Sequence, residues 1–568
     1  MQASDRLHLV FPFLKWPRLN TTLARSELLA GISVGLIVVP QSVAYGALAG
    51  MPVVTGIYAA FLPALVAALF SASPRLSVGP TALSCLLVYA SLSGLAEPGS
   101  ALWVTLAVWL AILSGVMQVA LGAGRFGWIV QLVSAPVLMG FTQAATLLII
   151  WSQLPALIGS PGPLPALLTG EHLDLRAAAF GLGGWAALAL GKRFMPHFPM
   201  VMLVVVGSAA LSWLLGFGAH GGSVIGDLPA GLPRLQWPEG ISLRMLGSLA
   251  VPAMVVTLVS FLETASSAKV DSQKSRQPWN QNQDLIAQGL AKLSSALTGS
   301  FPTSSSFSRS ALNLYAGAQT GWAAVVTVGV VLVVLLWLTP ALSLVPTAIL
   351  SAVVVAAVVS LVRPAQFKHL WRIAPVEALT AGVTFIVTLL SAPRIYWGVL
   401  AGVLMGLTHF LYQRLHPRII EIGLHADGSL RDRHLWHLPP LTPRLYALRM
   451  DATLDFATAV TLERNITEHL AVHPDVQHVC LFAQPINHID ATGIEVFGHL
   501  RRALADRQVT LHLSGIKLPV ETRLKLAGEL PASPWLRLYR TDADALAGVR
   551  KAIETAVDPW QDDPALLI

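Results

Sequence analysis

Apolar stretches and short polar turns alternate along the first 412 residues of the chain. Most of the stretches are long enough for a helix to cross a hydrocarbon core of roughly 30 Å. Their even number predicts that both ends of this region lie on the same side of a membrane. The fourteen stretches fall at 26–48, 52–71, 79–95, 101–122, 126–155, 176–192, 199–217, 246–268, 284–298, 306–318, 321–340, 344–362, 375–391 and 395–412.

Beyond this region the pattern becomes that of a soluble α/β domain. Alternating apolar residues predict strands at 444–450, 478–483 and 509–514, and helical periodicity predicts helices at 493–505, 519–527 and 542–555. This order predicts a small mixed sheet with helices. We therefore divide the chain into an N-terminal segment 1–25, a transmembrane domain 26–415, a linker 416–440 rich in His, Pro and Arg, a soluble domain 441–558 and a tail 559–568.

Composition supports a multi-pass membrane protein with a polar appendix rather than a soluble enzyme, because 54% of the residues are hydrophobic and 12% are charged. The net charge is +7, and the basic residues fall in turns that alternate to one side. The positive-inside rule then places both termini in the cytoplasm, and we expect a bacterial cytoplasmic membrane. A nucleic-acid surface is disfavoured, since these charges form no continuous groove.

Two of the apolar stretches are interrupted in a similar way. Residues 77–82 and 300–304 each carry Gly or Pro with small hydroxyl residues just before a helix, and each precedes the third stretch of its group of seven. Interrupted spans at matching positions of two halves indicate an inverted-repeat transporter site. Two half-helices meeting by their N-termini would direct backbone N–H groups and partial positive charge at one point, where an anion fits. Helix capping with small-residue packing is the structural alternative.

Several motifs in order resemble the sulfate permease (SulP) family of anion transporters over nearly the whole length. The resemblance is carried by residues 35–50 with 56–61, by 74–82, by 288–291 and by 306–313, and the tail with its Asp490-Ala-Thr-Gly493 turn resembles the STAS domain of that family. The resemblance implies a fourteen-span fold, arranged as a seven-plus-seven inverted repeat with core and gate subdomains, followed by a cytoplasmic STAS domain. It also implies a homodimer.

The resemblance further implies a substrate site around the two interrupted spans. The expected substrate-binding residues are Gln41, Tyr45, Thr81, Ala82, Ser306, Phe307, Ser308 and Arg309. Gln41 and Tyr45 lie four residues apart and so share one helix face. For each of these residues, packing or hydrogen bonding between helices is the alternative role.

Glu263 and Arg309 match the positions of the coupling pair in proton-coupled sulfate transporters of the family. We expect the two side chains to pair before the anion binds, and protonation of Glu263 to release Arg309 for the anion. Glu instead of Asp at position 263, with an Arg nearby, makes sodium a less favoured coupling ion. A carboxylate that only fixes helix packing is the alternative for Glu263.

Charge arithmetic limits the proton hypothesis. Sulfate carried with one proton moves one net negative charge inward, which costs about 2.3 kcal/mol per 100 mV of inside-negative potential. A pH difference of one unit across the membrane supplies only about 1.4 kcal/mol per proton. A single titrating Glu263 could therefore not drive much sulfate accumulation. Three alternatives remain open: a second proton is carried, sulfate enters down a gradient that metabolism maintains, or the substrate is monovalent.

In the tail, Thr492 is expected either to cap a helix or to be a regulatory phosphorylation site, and the STAS domain would bind a regulatory protein. The scattered linker histidines, including His434 and His437, fit no metal-ligand spacing, and we expect no metal and no cofactor. A membrane-embedded enzyme is disfavoured because no nucleophile–base pair or phosphate-binding loop is recognisable.

The sequence therefore predicts a secondary active transporter of inorganic oxyanions, with proton-coupled sulfate uptake by an elevator-like mechanism as the leading hypothesis. Bicarbonate or a dicarboxylate such as fumarate or succinate, carried with sodium, is an alternative within transport. An anion exchanger or channel of the same fold is another.

Overall fold

The structure, a computed structural model, describes residues 11–160, 173–195 and 199–557. The described chain forms two compact units, which divide after Gly406. Part of the predicted N-terminal segment and all of the predicted tail lie outside the described residues.

The first unit consists of helices. The first seven are α1 (Thr21–Leu48), α2 (Val53–Phe70), α3 (Ala82–Leu92), α4 (Ala101–Ala123), α5 (Ala135–Leu157), α6 (Leu175–Phe194) and α7 (Met200–Leu214). They are followed by α8 (Leu243–Ser275), α9 (Gln281–Leu297), α10 (Phe307–Tyr315), α11 (Trp322–Val333), α12 (Thr347–Val359), α13 (Pro364–Ile373), α14 (Pro375–Leu390) and α15 (Tyr396–Leu415).

Each of the fourteen predicted apolar stretches overlaps one of these helices, and α13 is the additional one. Seven helical spans in the described chain are long and apolar enough to cross a membrane, among them the runs Trp322–Leu342 and Thr347–Ile373. Helix α13 has no buried residue, carries Lys368 and Arg372, and forms the polar end of the run Thr347–Ile373. The multi-pass helical fold predicted from the sequence is confirmed.

Polar side chains mark where several spans begin. Asn20, Ser100 and Ser242 each accept a hydrogen bond from a backbone N–H in the first turn of α1, α4 and α8. The chain continues beyond α11 as a π-helical turn at Val334–Leu338 and a last turn at Thr339–Leu342. Pro340 lies in this last turn and lacks the N–H needed to continue a regular α-helical pattern.

The half-helices α3 and α10 stand at the same position in their groups of seven, as predicted. Each follows a two-residue strand, β1 (Val78–Gly79) and β2 (Ser304–Ser305). Both strands are buried, and they pair with each other in antiparallel fashion. The core of this unit consists mostly of Val, Leu and Ala side chains, many of them from α1–α5, α8 and α12.

The second unit contains a six-stranded mixed sheet. Its strands are β3 (Ile419–Leu424), β4 (Leu430–Asp432), β5 (Leu445–Met450), β6 (His478–Phe482), β7 (Thr510–Ser514) and β8 (Leu536–Tyr539), in the spatial order β4-β3-β5-β6-β7-β8. Strands β5 to β8 are parallel, whereas β3 is antiparallel to both β4 and β5.

Helices cover both faces of this sheet. Side chains alternate between the faces of a strand, so Leu448 and Leu481 pack with α16 (Ala459–Val472), α17 (Ala491–Asp506) and α18 (Leu518–Leu526). Ala447 and Cys480 face α19 (Asp542–Val557) instead.

The segment 416–440 differs from the linker that its composition predicts, because it contains β3 and β4. Its many polar side chains pair across these edge strands: Arg433 bonds Glu421 at 2.6 Å and Arg418 bonds Asp432 at 2.9 Å. Charged residues on an edge strand protect it from pairing with other chains, so a composition that suggests a solvated linker also suits this sheet edge.

Candidate anion site

The pairing of β1 with β2 brings the N-termini of α3 and α10 together. Val78 pairs with Ser305 and Gly79 with Ser304. Two further bonds extend the contact, because the Ser306 N–H donates to the Ser77 carbonyl at 2.9 Å and the Ser77 N–H donates to the Ser310 hydroxyl at 2.9 Å. Distant parts of the sequence thus meet where each half-helix starts.

Each half-helix begins with a hydroxyl cap. Thr81 is the N-cap of α3 and accepts from the Ser84 N–H at 3.2 Å, and Ser306 is the N-cap of α10 and accepts from the Arg309 N–H at 3.4 Å. Ala82 is the first residue of α3. The remaining N–H groups of these first turns carry the partial positive charge expected at helix N-termini.

Arg309 is buried at this junction, with 2% of its surface exposed. Its Nε donates to the Ser77 hydroxyl at 3.3 Å, and its Nη1 donates to the Pro80 carbonyl at 3.0 Å and to Gln41 Oε1 at 3.4 Å. Its Nη2 has no hydrogen-bond partner in the described part of the chain. A buried guanidinium nitrogen without a partner is costly, and an oxyanion would satisfy it.

A cleft of about 250 Å³ reaches Arg309. Gln41 and Ser308 line it together with Arg309, and Lys192 of α6 is also part of the lining. The other lining residues are Ile37, Leu188, Met195, Met200, Val201, Leu312, Val353, Ala356, Ala357 and Ser360, from α1, α6, α7, α10, α12 and the adjoining turns. The cleft is therefore lined by residues of α1, α6, α7, α10 and α12.

Only part of the predicted substrate set faces this cleft. Gln41, Ser308 and Arg309 line it, whereas Tyr45 is 5% exposed in the core and Thr81 is 5% exposed at its cap position. The Phe307 ring is half exposed but is not part of the lining that the described residues form.

Glu263 of α8 lies on the other side of the same half-helix start. Its Oε2 accepts from the Thr81 hydroxyl at 3.1 Å and from the Ser84 hydroxyl at 3.4 Å. Within the described chain, the ion pairs closer than 4.0 Å do not include Glu263 with Arg309. The direct pair expected from the sequence is therefore not formed in this conformation, because the first turn of α3 and the strand before it hold the two groups separately.

A buried lysine near this site was missed in reading the sequence. Lys292 of α9 has no exposed surface. Its Nζ donates to Gln118 Oε1 at 2.8 Å and to the Ser260 hydroxyl at 3.0 Å. The signal was visible in the sequence, because Lys292 is a cation inside the apolar stretch 284–298.

Two known protein families match successive parts of the chain. Residues 25–384 match the sulfate permease family, and residues 440–545 match the STAS domain. The chain belongs to the sulfate permease family. Its fold is that of a membrane transporter, and the family is one of transporters rather than enzymes.

Relatives of this permease extend over its whole length. It is 30% identical to the probable sulfate transporter 4.2 of Arabidopsis thaliana, over 96% of this chain and 84% of the relative. It is 28% identical to a probable sulfate transporter of Mycobacterium tuberculosis, over 93% of this chain and 95% of the relative. The fold is similar to that of the murine Solute Carrier 26 family member A9 anion transporter, with a TM-score of 0.86 at 19% identity over 97% and 95% of the two chains.

In the STAS domain, Thr492 is exposed in the first turn of α17, but it is not the helix cap. The cap is Asp490, whose carboxylate accepts from the Gly493 N–H at 2.8 Å and from the Phe456 N–H at 3.0 Å. The capping role considered for Thr492 therefore belongs to Asp490.

Proposed function

We propose that the protein is a secondary active transporter that takes up sulfate together with protons. The observation that carries this proposal is the buried Arg309, which lines the cleft where the two half-helices meet and whose Nη2 has no hydrogen-bond partner among the described residues. Directed guanidinium donors and backbone N–H groups suit a tetrahedral oxyanion. The names of the Arabidopsis and Mycobacterium relatives support sulfate as this anion.

Glu263 is the proposed proton carrier. Its carboxylate is the partner of Thr81, which caps α3, so its protonation state acts on the start of the half-helix that faces Arg309. When Glu263 is ionised, Thr81 donates to it. When Glu263 is protonated, its negative charge no longer opposes an arriving anion. In this mechanism the protonation of Glu263 affects anion binding through the first turn of α3. Glu263 then needs no direct contact with Arg309.

The transport step is proposed to be an elevator-like movement of one group of helices against the other. Residues of α1 and α10 line the cleft together with residues of α6, α7 and α12, and a movement of the first two helices against the other three would change its width. We further propose that the protein is a homodimer in the bacterial cytoplasmic membrane, with both termini in the cytoplasm. Thr492 is the proposed regulatory phosphorylation site.

The test is uptake of labelled sulfate into proteoliposomes with an imposed inward proton gradient. We expect Glu263→Gln to lose uptake driven by the gradient but to keep sulfate exchange between equal pH values, because the amide can still accept from Thr81 but cannot titrate. A sodium gradient in place of the proton gradient is the control. Undiminished gradient-driven accumulation by the Gln variant would refute the proton role of Glu263.

A further inference from the structure

Lys292 lies directly behind the anion site without lining the cleft. Its partner Ser260 also accepts, through its backbone carbonyl, a 3.1 Å hydrogen bond from the hydroxyl of Ser304 in β2. The preceding residue of α9, Ala291, packs against Val78 of β1. Ser260 therefore links Lys292 to the paired strands β1 and β2, which join the two half-helices.

The groups around Lys292 Nζ are arranged as acceptors. Gln118 turns its Oε1 towards Nζ, while its Nε2 donates to the Ser260 hydroxyl at 3.0 Å and to the Thr257 carbonyl at 3.0 Å. The Ser260 hydroxyl donates to Thr257 at 3.3 Å, so its lone pairs face Nζ and Nε2. No donor in this group points at Nζ, which suits an ammonium ion, a group with three donors and no acceptor.

Among the described residues, no carboxylate forms an ion pair with the ammonium group of Lys292, whose partners are Gln118 and Ser260. Glu263, one turn beyond Ser260 on α8, is the charged group that acts on Lys292 electrostatically. Helices α2 and α4, which also pack against α9, contain no Asp, Glu, Lys, Arg or His. Lys292 and Glu263 therefore belong to one electrostatic group with Arg309.

The remaining buried carboxylates nearby are held by other partners. Asp271 forms an ion pair with Arg75 at 2.7 Å. Asp284 accepts from the Trp279 ring N–H at 2.7 Å, and Glu27 accepts from backbone N–H groups at the start of α11. Lys192 also lines the cleft, but its side chain is exposed to solvent. The buried charged groups that act on one another at the anion site are therefore Glu263, Lys292 and Arg309.

We propose that Lys292 is the fixed cation that sets the valence of the transported anion. The inference rests on the proposed function. With Glu263 ionised, the three groups carry one net positive charge; with Glu263 protonated they carry two, which a dianion such as sulfate cancels. Without Lys292, the protonated group would carry a single positive charge and would match a monovalent anion.

A neutral loaded state matters because a net charge is costly in a low-dielectric interior. Lys292 returns with the protein in each cycle, so it changes neither the net charge moved per cycle nor the driving force. It selects which loaded form is stable. Lys292 is therefore a specificity-determining residue that acts through the field at the site and touches no anion.

The test compares sulfate with methanesulfonate, a tetrahedral sulfur oxyanion with one charge less. Uptake of each labelled anion is measured in proteoliposomes, at one pH on both sides and with the membrane potential clamped to zero. Lys292→Met removes the charge, and Gln118→Glu neutralises it by placing a carboxylate beside the ammonium. Lys292→Arg and Gln118→Met are the matched variants that keep the charge.

We expect the charge-removing variants to lower the ratio of sulfate to methanesulfonate uptake by about tenfold, the order expected for one unit charge acting across a packed layer of side chains. The charge-keeping variants should retain the wild-type ratio. If Lys292→Met does not fold, Gln118→Glu carries the test alone. Equal losses for both anions, with an unchanged ratio, would show a merely structural lysine and overturn the inference. Wild-type protein that takes up no sulfate would instead overturn the proposed function.

Discussion

Arg309 and Glu263 show how single residues are placed in this protein. Ser77, Pro80 and Gln41 hold the guanidinium, and Thr81 with Ser84 hold the carboxylate. Both sets of partners lie on or beside the segment that leads into α3. We therefore expect a change at either charge to act on the other through this segment, whose side chains hold both groups by hydrogen bonds.

In the STAS domain a buried histidine makes stability depend on pH. Burial lowers the pKa of His512 to about 3, and the nearby His478 and Arg537 add to the effect. Below the ordinary histidine pKa of about 6.5 the unfolded chain binds a proton that the folded domain does not bind. The stability of the domain is thus fully present above pH 6.5, and we expect it to fall by about 1–2 kcal/mol on going to pH 5.

The measurement is amide hydrogen exchange of β6 and β7 in the full-length protein at pH 7.5 and pH 5, corrected for intrinsic rates. His512 contacts the Tyr539 hydroxyl at 3.1 Å and His478 at 3.2 Å, so His512→Gln removes the titrating ring and keeps a polar group. This variant should show a weaker pH dependence. The same pH dependence in both proteins would assign the effect to another group.

At the scale of elements, the close contact of α4 with α9 positions Lys292. Gly115 and Gly289 face each other in this contact, and a Cβ built on Gly289 would lie 2.6 Å from the Gly115 carbonyl oxygen. Small residues at helix contacts allow backbones to approach closely in membranes. The burial of Lys292 and its hydrogen bond to Gln118 on α4 depend on this close packing of the two helices.

We expect Gly289→Val to force α4 and α9 apart and to destabilise the protein by about 3 kcal/mol, at the upper end of the usual cost of overpacking. The readout is the melting temperature of the purified protein in detergent, followed by tryptophan fluorescence. Gly329→Val on α11 is the matched control, since a Cβ at Gly329 meets nothing within 4 Å. Equal melting temperatures for the two variants would contradict the tight contact.

For the whole molecule, the cleft offers a direct test of which side the site opens to. Ser308 is exposed and lines the cleft with Lys192, which the positive-inside rule assigns to the cytoplasmic side. In a Ser308→Cys variant, we expect a membrane-impermeant thiol reagent to block uptake from the cytoplasmic side only, and sulfate to slow the reaction. The native Cys85 and Cys480 are buried, so the unmodified protein is the control.

Reaction of Ser308→Cys from the opposite side alone would reverse the orientation proposed for this conformation. Reaction that is insensitive to sulfate would separate the cleft from the anion site. Both outcomes are read from the same preparation, because the reagent is added to either side of oriented vesicles.

The sequence by itself determined the fourteen apolar stretches, the two interrupted helices and three of the six strands of the STAS sheet, because these follow from local periodicity and from Gly, Pro and hydroxyl residues at helix starts. It also singled out Arg309 and Glu263 as charges within apolar stretches. Only the tertiary structure decided their partners. Backbone pairing of β1 with β2 joins segments over 200 residues apart, and no local pattern encodes which side chains meet there.

The same reason explains the two main differences between the sequence prediction and the structure. The segment 416–440 has a linker composition, yet it forms an edge of the sheet because β5 supplies its hydrogen-bonding partners. Lys292 carries a visible charge in the sequence, but its role depends on Gln118 and Ser260, which come from two other helices. Local sequence specifies helices and strands, whereas the cost of leaving buried polar groups unpaired decides how they assemble.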